Sequence, residues 1–494
     1  MKIYIINNTF HYEMENLTRA FFPNEKIEII KCAAVPQDAL DSPYVVTSVE
    51  STDNYSRVSV QTVFDSFSKN ITQQVEYVEN TEEYQTELER TMAVCLYKLL
   101  SEYTGLTPPW GILTGVRPIK LFRKMAEDMG TENAKRHFRD KFLVSEEKVQ
   151  LAEETEKNEQ AILRTSSVNS YSLYVSIPFC PSRCSYCSFI SQATLKAKKL
   201  IEPYVELLCR ELEETAKILK GKNLKLETVY IGGGTPTTLN AQQLERLIAT
   251  INRCFPMEQC REFTVEAGRP DTITEDKLKA ILNGGADRIS INPQTMNDTV
   301  LEAIGRKHTA QQTIEAYRLA IAVGFNHINM DLIVGLPKDN LESFENTLNT
   351  ITELAPESIT VHTLSMKRSS NLTIQGVKIM RQDADTASAM HTYCKGILES
   401  KGYHPYYLYR QSRMVGNLEN IGYSKPDRDG LYNVFIMDET HTILGCGAGA
   451  VTKLKNGTTG SLSRVFNYKY PDWYVNDFDE ILRRKQEISD FFNK

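Results

Sequence analysis

Three cysteines in one short segment are the residues with the clearest chemical potential in this chain. The segment YVSIPFCPSRCSYCSF places Cys180, Cys184 and Cys187 at the spacing C-x3-C-x2-C, in a loop that contains Pro178 and Pro181. Such a loop can bring three thiolates around one centre, and thiolates select iron–sulfur clusters, zinc or copper. Three ligands leave one metal position open, which is typical of reacting centres. The spacing therefore predicts a metal centre that performs chemistry.

A structural zinc site or plain buried thiols are the alternatives. Structural zinc sites usually pair two C-x2-C units around four ligands, and here no further Cys or His follows the group closely. The seven other cysteines are scattered, and we expect ordinary small buried residues there: Cys32, Cys95, Cys209, Cys254, Cys260, Cys394 and Cys446. Ten irregularly spaced cysteines also argue against a secreted disulfide framework.

The elements that position the cysteines are predicted by an alternation of short β-branched or aromatic runs with longer amphipathic stretches. Six strands are predicted, at 173–177, 228–231, 263–266, 288–292, 328–334 and 358–363. Helices are predicted between them, among others at 200–219, 242–251, 310–323 and 341–354. The expected fold class is α/β, a partial (β/α)6 TIM-like barrel. Functional groups of such barrels lie in loops after the strands, where the cysteines also lie.

Three domains are expected along the chain. Residues 1–165 combine a β-rich start with a charged helical stretch and predict an N-terminal α+β domain of unassigned role. Residues 166–380 form the predicted barrel. Residues 381–494, with a helix at 388–401, an aromatic run at 403–409 and a glycine-rich segment at 445–450, predict a C-terminal accessory domain. The stretch WGILTGVRPIKLFR at 110–123 fits either an anion contact or a helix cap.

Composition and charge exclude several classes of protein. The chain has 494 residues, a net charge of −6 and 41% hydrophobic residues, which is a globular composition. The negative charge argues against a non-specific nucleic-acid binder, because phosphate neutralisation needs a clustered positive surface. There is no run of eighteen apolar residues, and the start is too short for a signal peptide. We therefore expect a cytoplasmic protein with no nucleic-acid partner and no membrane insertion.

The cysteine spacing, with the aromatic Tyr186 directly before the third cysteine, resembles the signature of the radical S-adenosylmethionine (SAM) superfamily. The resemblance implies a 4Fe-4S cluster held by Cys180, Cys184 and Cys187, with SAM chelated at the open iron. It also implies reductive cleavage of SAM to methionine and a deoxyadenosyl radical. The protein would contribute orientation, electronics and exclusion of water.

Two motifs after the next strands fit SAM binding. Residues 232–236 read GGGTP, where absent side chains let backbone N–H groups approach an acid group. One βα unit after the cysteines, Gly233, Gly234 and Thr235 resemble the superfamily's segment that holds the amino group of SAM. Glu266 ends the third predicted strand, and its carboxylate would suit a ribose or an ammonium group; a buried structural Glu is the alternative.

Further matches narrow the resemblance to a family. Gln294, Arg306 and Asp331 fall where the oxygen-independent coproporphyrinogen III oxidase family binds a second SAM, so the resemblance implies one or two SAM molecules. Tyr174, six residues before Cys180, matches a SAM-contacting tyrosine of that family. The likeness continues at the glycine-rich segment 445–450. The first 165 residues, with the sequence GVRPIK, resemble the HemZ-type branch.

The resemblance implies oxidative decarboxylation of coproporphyrinogen III to protoporphyrinogen IX in anaerobic haem biosynthesis. Two propionates become vinyl groups, and an external acceptor takes the last electron. The implied partners are a tetrapyrrole substrate and an electron donor such as flavodoxin or ferredoxin. Cationic candidates for the propionates lie near strand ends or in the C-terminal region: Arg269, Lys307, Lys367, Arg368, Arg410 and Arg413.

Two departures keep other functions open. The oxidases carry a fourth cysteine where this chain has Phe189, and their tyrosine-rich N-terminal segment is not found here. Phe189 and the stretch IGRKHT at 304–309 resemble the haem-chaperone branch, HemW. The chaperones' His-Asn motif, however, appears here as Tyr432 and Asn433. The alternatives to the decarboxylase are thus a HemW-like haem-binding chaperone and a radical SAM C-methyltransferase acting on a tetrapyrrole.

Overall fold

The structure is a computed structural model that describes residues 1–35, 42–76, 81–189 and 191–493. The strands are β1 (Lys2–Ile6), β2 (Glu28–Lys31), β3 (Tyr44–Ser51), β4 (Tyr55–Phe64), β5 (Phe67–Glu76), β6 (Ser170–Ile177), β7 (Phe179–Cys180), β8 (Gln192–Ala193), β9 (Lys225–Gly233), β10 (Glu262–Glu266), β11 (Arg288–Ser290), β12 (Ile328–Val334), β13 (Ser358–Thr363), β14 (His404–Tyr409), β15 (Asn420–Ser424), β16 (Thr442–Cys446), β17 (Val451–Lys455) and β18 (Leu462–Phe466). The helices are α1 (His11–Phe21), α2 (Glu82–Thr104), α3 (Pro118–Met129), α4 (Thr131–Asp140), α5 (Glu146–Leu163), α6 (Thr194–Leu219), α7 (Ala241–Cys254), α8 (Glu275–Asn283), α9 (Asp298–Ala303), α10 (Ala310–Val323), α11 (Leu341–Leu354), α12 (Asn371–Ile374), α13 (Arg381–Ser400), α14 (Leu431–Asp438), α15 (Pro471–Asn476) and α16 (Phe478–Phe492).

The chain divides into two compact units. The N-terminal unit comprises Met1–Glu156 together with two later segments, Val377–Ser388 and Tyr409–Glu419. The barrel unit comprises Lys157–Gly376, Ala389–Leu408 and the chain from Asn420 onward. Residues after 381 thus contribute to both units, and the three domain boundaries given above stay a prediction.

The N-terminal unit is built on a five-stranded sheet in the order β2-β1-β3-β4-β5. β1 runs parallel to β2 and β3, and β3, β4 and β5 form an antiparallel meander. In β4 buried and more exposed residues alternate, which is the pattern of a sheet with one covered face. α2 packs on β4 and β5 and is capped by Thr81, whose side chain accepts a hydrogen bond from the Tyr84 backbone N–H.

The barrel unit contains the six parallel strands that the sequence predicts. They lie in the order β13-β12-β11-β10-β9-β6 within an eleven-stranded sheet, and each pairs in parallel with its neighbour. β12 is buried along almost its whole length, as expected for a parallel strand covered by helices on its outer face. The described strands do not close into a ring, so the partial (β/α)6 TIM-like barrel is confirmed.

The C-terminal residues extend this sheet on both sides. β16 adds in parallel beside β6, with Gly445 opposite Tyr174, and β15 pairs antiparallel with β13. Behind β16 the buried Glu211 carboxylate pairs with Lys485 at 2.8 Å and accepts a hydrogen bond from the Gly447 backbone N–H at 2.7 Å. The pairing compensates two charges that would otherwise be unfavourable inside the protein.

Most predicted elements are observed, some with different bounds. α6 begins six residues before the predicted start at 200, and α13 begins seven residues before the predicted start at 388. Strands 328–334 and 358–363 and helices 310–323 and 341–354 have the predicted bounds. Strand 288–292 is wrong at its end, because β11 stops at Ser290 and the backbone reaches a positive φ of 70° at Gln294. Among the described helices, none combines the length and apolar character needed to cross a bilayer.

Candidate active site

The carboxyl ends of the parallel strands bring the predicted site residues to one edge of the barrel unit. The cysteine segment follows β6, the GGGTP segment follows β9, and Glu266 is the last residue of β10. Gln294 follows β11, and Asp331 lies within β12. Parallel strands end at the same edge, so these residues come from neighbouring positions around one mouth.

The cysteine loop holds its three thiols in a polar setting. Cys180 lies in β7, and the Thr235 hydroxyl donates a hydrogen bond to its sulfur at 3.5 Å. Cys184 is only 8% exposed, and Nη1 of Arg269 donates to its sulfur at 3.8 Å. The Cys187 backbone N–H donates to the Cys184 carbonyl at 3.2 Å, which folds the loop back on itself. The sulfurs of Cys180 and Cys184 thus each accept a hydrogen bond from a neighbouring side chain.

The Cys187 thiol interacts electrostatically with the thiols of Cys184 and Cys180. Burial raises the pKa of Cys187 to about 11; a backbone hydrogen bond from Phe189 opposes the rise, and the neighbouring Cys184 and Cys180 add to it. Within the described part of the chain, no three His, Cys, Asp or Glu side chains converge on a point that one metal ion could occupy. Three cysteine thiolates are the donor set of an iron–sulfur cluster, in which each ligated iron takes its own thiolate.

The glycine loop after β9 passes directly over the cysteine segment. A Cβ on Gly234 would lie 2.6 Å from the Phe179 carbonyl oxygen and 2.9 Å from the Cys180 sulfur. Gly233 has a φ of 115°, and a Cβ there would lie 2.9 Å from the Ile177 backbone nitrogen. Only glycine allows this approach, which leaves backbone N–H groups next to the cysteines.

Arg306 links the cysteine loop to the strand ends. Its Nη1 donates to the Asn292 carbonyl at 2.6 Å, and its Nη2 donates to the Tyr186 hydroxyl at 3.2 Å. The guanidinium also interacts with the Cys184 thiol. Its Nε is buried and has no hydrogen-bond partner among the described residues. A buried donor without a partner is unfavourable, so this nitrogen could hold an oxygen of a bound ligand.

Glu266 is hydrogen-bonded to Tyr230 and has a raised pKa. The Tyr230 hydroxyl donates to Glu266 Oε1 at 2.6 Å, and the Tyr230 ring stacks on Tyr432 at 4.4 Å and on Tyr174 at 6.3 Å. Burial raises the pKa of Glu266 to about 7; the Tyr230 hydrogen bond opposes this rise, and the nearby Asp331 charge adds to it. Glu266 can therefore donate or accept a hydrogen bond near neutral pH.

Asp331 is held in its ionised form. Burial favours its protonated form, but His362 and Asn329 outweigh burial, and its pKa lies below the usual value. Asn329 Nδ2 donates to Asp331 Oδ1 at 2.7 Å, and His362 Nε2 lies 3.7 Å from Oδ2. The neighbouring Gln294 donates its backbone N–H to the Asp331 carbonyl at 2.9 Å. Its positive φ is a strained conformation for a non-glycine residue, a feature that clusters at functional sites.

The structure shows the surroundings of one candidate cation and adds two residues to the site. Arg269, a candidate propionate partner, is buried, forms an ion pair with Asp271 at 3.0 Å and donates to Cys184. Its role toward a propionate stays a prediction. Tyr230 and His362 were missed. The period-2 alternation of their strands could have shown that both side chains point to the inner face with the polar site residues.

Comparison with known proteins identifies the family. The profile of the Radical SAM superfamily matches residues 174–351. The chain is 36% identical to the oxygen-independent coproporphyrinogen-III oxidase-like protein HemZ of Bacillus subtilis, over 97% of this chain and 96% of that protein. This chain belongs to the HemZ branch of that radical SAM family. The family's cofactors, a 4Fe-4S cluster and SAM, are therefore the cofactors of this protein.

Two further proteins are similar to this chain over about two thirds of its length. Heme chaperone HemW of Lactococcus lactis is 30% identical over 65% of this chain and 79% of that protein. The solved structure of coproporphyrinogen III oxidase, HemN, from Escherichia coli aligns with a TM-score of 0.51 and 25% identity, over 65% of this chain and 73% of that one. The relatives of this chain thus include proteins named as coproporphyrinogen III oxidases, which act in haem biosynthesis, and proteins named as haem chaperones.

Proposed function

We propose that the protein catalyses the oxidative decarboxylation of coproporphyrinogen III to protoporphyrinogen IX. The observation that carries the proposal is the gathering of Glu266, Gln294, Arg306 and Asp331 around the same mouth as the cysteine loop. An enzyme that cleaves SAM needs polar side chains that position SAM beside the cysteine loop, and these residues are placed for that task.

The side chains have separate tasks in this proposal. Cys180, Cys184 and Cys187 hold the cluster as thiolates. The cluster and SAM, once bound, would supply the hydrogen-atom abstraction at the β-carbon of a propionate. The glycine loop would hold the amino group of SAM beside the cysteines, and Asp331 accepts from ammonium or hydroxyl groups of SAM.

Glu266 and Arg306 complete the proposed SAM site. Glu266, with its pKa near 7, positions a ribose hydroxyl while its Oε1 accepts the hydrogen bond from the Tyr230 hydroxyl. Arg306 orients the Tyr186 hydroxyl beside the cysteines and keeps its free Nε for a ligand oxygen. Each vinyl group formed releases one CO2 and leaves an electron for an external acceptor. Flavodoxin or ferredoxin is the proposed electron donor, and the cytoplasm the proposed location.

A haem-chaperone function is the second candidate. It is supported by Phe189, which stands 68% exposed where the oxidases have a cysteine, and by the HemW relatives. Tyr432 argues against it, because this residue replaces the chaperones' histidine and is only 6% exposed. Stacked on Tyr230 at 4.4 Å, its hydroxyl-bearing ring offers no imidazole to a haem iron.

The test is an anaerobic reaction with the full chain. The protein is reconstituted with iron and sulfide and incubated with SAM, dithionite, an electron acceptor and coproporphyrinogen III, and products are followed by mass spectrometry. We expect loss of two CO2 per tetrapyrrole together with deoxyadenosine. S-adenosylhomocysteine with a methylated tetrapyrrole would replace the proposal with the methyltransferase function. Stoichiometric haem binding without any change in the tetrapyrrole would replace it with the chaperone function.

Two cysteine variants make the test specific. Cys184→Ala removes a proposed cluster ligand and should abolish product. Cys254→Ala removes a half-buried thiol at the end of α7 and should leave turnover unchanged. Equal activity in the two variants would contradict the assignment of the cysteine loop.

A further inference from the structure

The N-terminal unit contains a cavity of about 250 Å³ with a cationic and apolar lining. Its walls come from the end of α1, the first turn of α13 and the segment between β14 and β15. Four arginines and one glutamate, the exposed Glu25, contribute the charges. The arginines are Arg19, Arg381, Arg410 and Arg413.

Arg410 is a buried cation that forms no ion pair with any of the described residues. It is 3% exposed, its Nη1 donates to the Leu113 carbonyl at 2.5 Å, and its Nη2 donates to the Asn417 carbonyl at 3.1 Å. Its Nε is buried and has no hydrogen-bond partner among the described residues. Burial lowers the pKa of Arg410 to about 10, and the more distant Glu419 opposes that shift. A buried charge bound only to neutral carbonyls is unfavourable until an anion joins it.

Glu419 does not supply the missing charge. Its Oε1 pairs with Lys148 at 2.8 Å, and its Oε2 accepts from Trp110 Nε1 at 2.7 Å. Lys148 also pairs with Glu147 at 3.1 Å, and Glu419 acts on Arg410 only through its charge, without an ion-pair contact. Arg410 lines the cavity, so an anion that enters the cavity could reach its guanidinium.

The rim strengthens the positive field of the cavity. Arg381 is fixed by its Nη1, which donates to the Thr104 carbonyl at 3.1 Å, and Arg19 forms an ion pair with Glu15. Apolar side chains share the walls, among them Phe22, Met380 and Met414. An inorganic ion would leave these apolar walls without a partner.

We propose that this cavity binds a small organic acid, with its carboxylate at Arg410 and its hydrocarbon part against the apolar walls. A guanidinium matches a carboxylate through two parallel hydrogen bonds, and the mixed lining matches an acid with a carbon chain. The volume is below that of common drug-sized sites, so it suits a short acid or one propionate arm of a larger molecule. The site is separate from the cysteine loop and does not rest on the proposed function.

The chain provides a spectroscopic reporter for this site. The Arg410 guanidinium lies 5.6 Å from the ring centroid of the buried Trp110. The sequence has two tryptophans, and the second, Trp473, is 55% exposed in the barrel unit. In Trp473→Phe, the fluorescence comes from Trp110 alone. An anion at Arg410 changes the field on that ring.

The experiment titrates Trp473→Phe in the full chain with hexanoate, and with inorganic phosphate and sodium chloride at equal ionic strength. We expect a saturable change in emission with hexanoate alone. Arg381→Gln combined with Arg413→Gln, at the rim, should weaken hexanoate binding at least about tenfold, a change of about 1.4 kcal/mol. Arg136→Gln, an exposed arginine of α4, is the control and should bind as the parent does.

Each outcome of the titration either supports or overturns the proposed carboxylate site. A response to phosphate and not to hexanoate, an equal response to chloride, no saturable response, or equal affinity in the rim variant would overturn it. Once hexanoate binding is established, competition distinguishes two sources of the carboxylate. Displacement by coproporphyrin III, measured by calorimetry, would assign the site to a tetrapyrrole propionate; absence of displacement would assign it to a free acid.

Discussion

Replacing Glu266 by glutamine should stabilise the apo protein at alkaline pH while damaging its chemistry. Burial of the carboxyl at the end of β10 raises its pKa from 4.5 to about 7. Such a rise corresponds to at most about 3 kcal/mol against the ionised form, and because the side chain is half-buried we expect roughly 1–3 kcal/mol. Glutamine carries no charge and can still accept the Tyr230 hydrogen bond.

The sign of the effect follows from the direction of the shift. A raised pKa means that the favourable contribution of Glu266 is fully present below the unfolded value of 4.5 and is lost as the pH rises through about 7. Glu266→Gln should therefore differ little from the parent at pH 5 and exceed it in free energy of unfolding at pH 8. The assay is urea unfolding of the apo protein at both values.

A matched control separates stability from function. Burial also raises the pKa of Glu89 in α2 to about 7, with the charge of Glu13 adding to it. Glu89→Gln should show the same pH-dependent stabilisation and retain SAM cleavage, whereas Glu266→Gln should lose most of its SAM cleavage. The reasoning is refuted if Glu266→Gln is no more stable than the parent at pH 8, or if its gain is equal at pH 5.

Three further substitutions test the site. Cys184→Ala should abolish the cluster's visible absorption while the circular dichroism of the fold is retained; collapse of the fold would indicate a structural metal. Asp331→Asn should weaken SAM binding or turnover without reducing iron content, and unchanged turnover would remove its assignment. Gly234→Ala should reduce cluster loading strongly, because its Cβ has no room. Gly396→Ala, in open space on α13, should load normally and gain up to about 1 kcal/mol of stability; equal loading of the two glycine variants would contradict the crowding argument.

The parallel sheet was predictable because its signals are local. Runs such as β12 and β13 are continuous and β-branched, and helix α10 begins at a capping box formed by Thr309 and Gln312. The joining of β16 to β6 was not predictable, because residues 271 positions apart in the chain carry no local sign of their pairing. The N-terminal unit's use of two later segments was missed for the same reason.

The site was predictable where clustered residues of one type have few structural roles other than the functional one. Three cysteines in eight residues and three consecutive glycines identified their own loops. Arginines gave no such signal, since in the sequence an arginine that donates to a cysteine sulfur, as Arg269 does, looks like any surface cation. The environment of Glu266 depends on Tyr230, which is contributed by another strand, so its pKa could only come from the fold.

The central claim is tested most directly with coproporphyrinogen III deuterated at the propionate β-carbons. The account predicts that deoxyadenosine formed during turnover carries deuterium and that each tetrapyrrole loses two CO2. Deoxyadenosine free of deuterium, together with an unchanged tetrapyrrole, would contradict the claim.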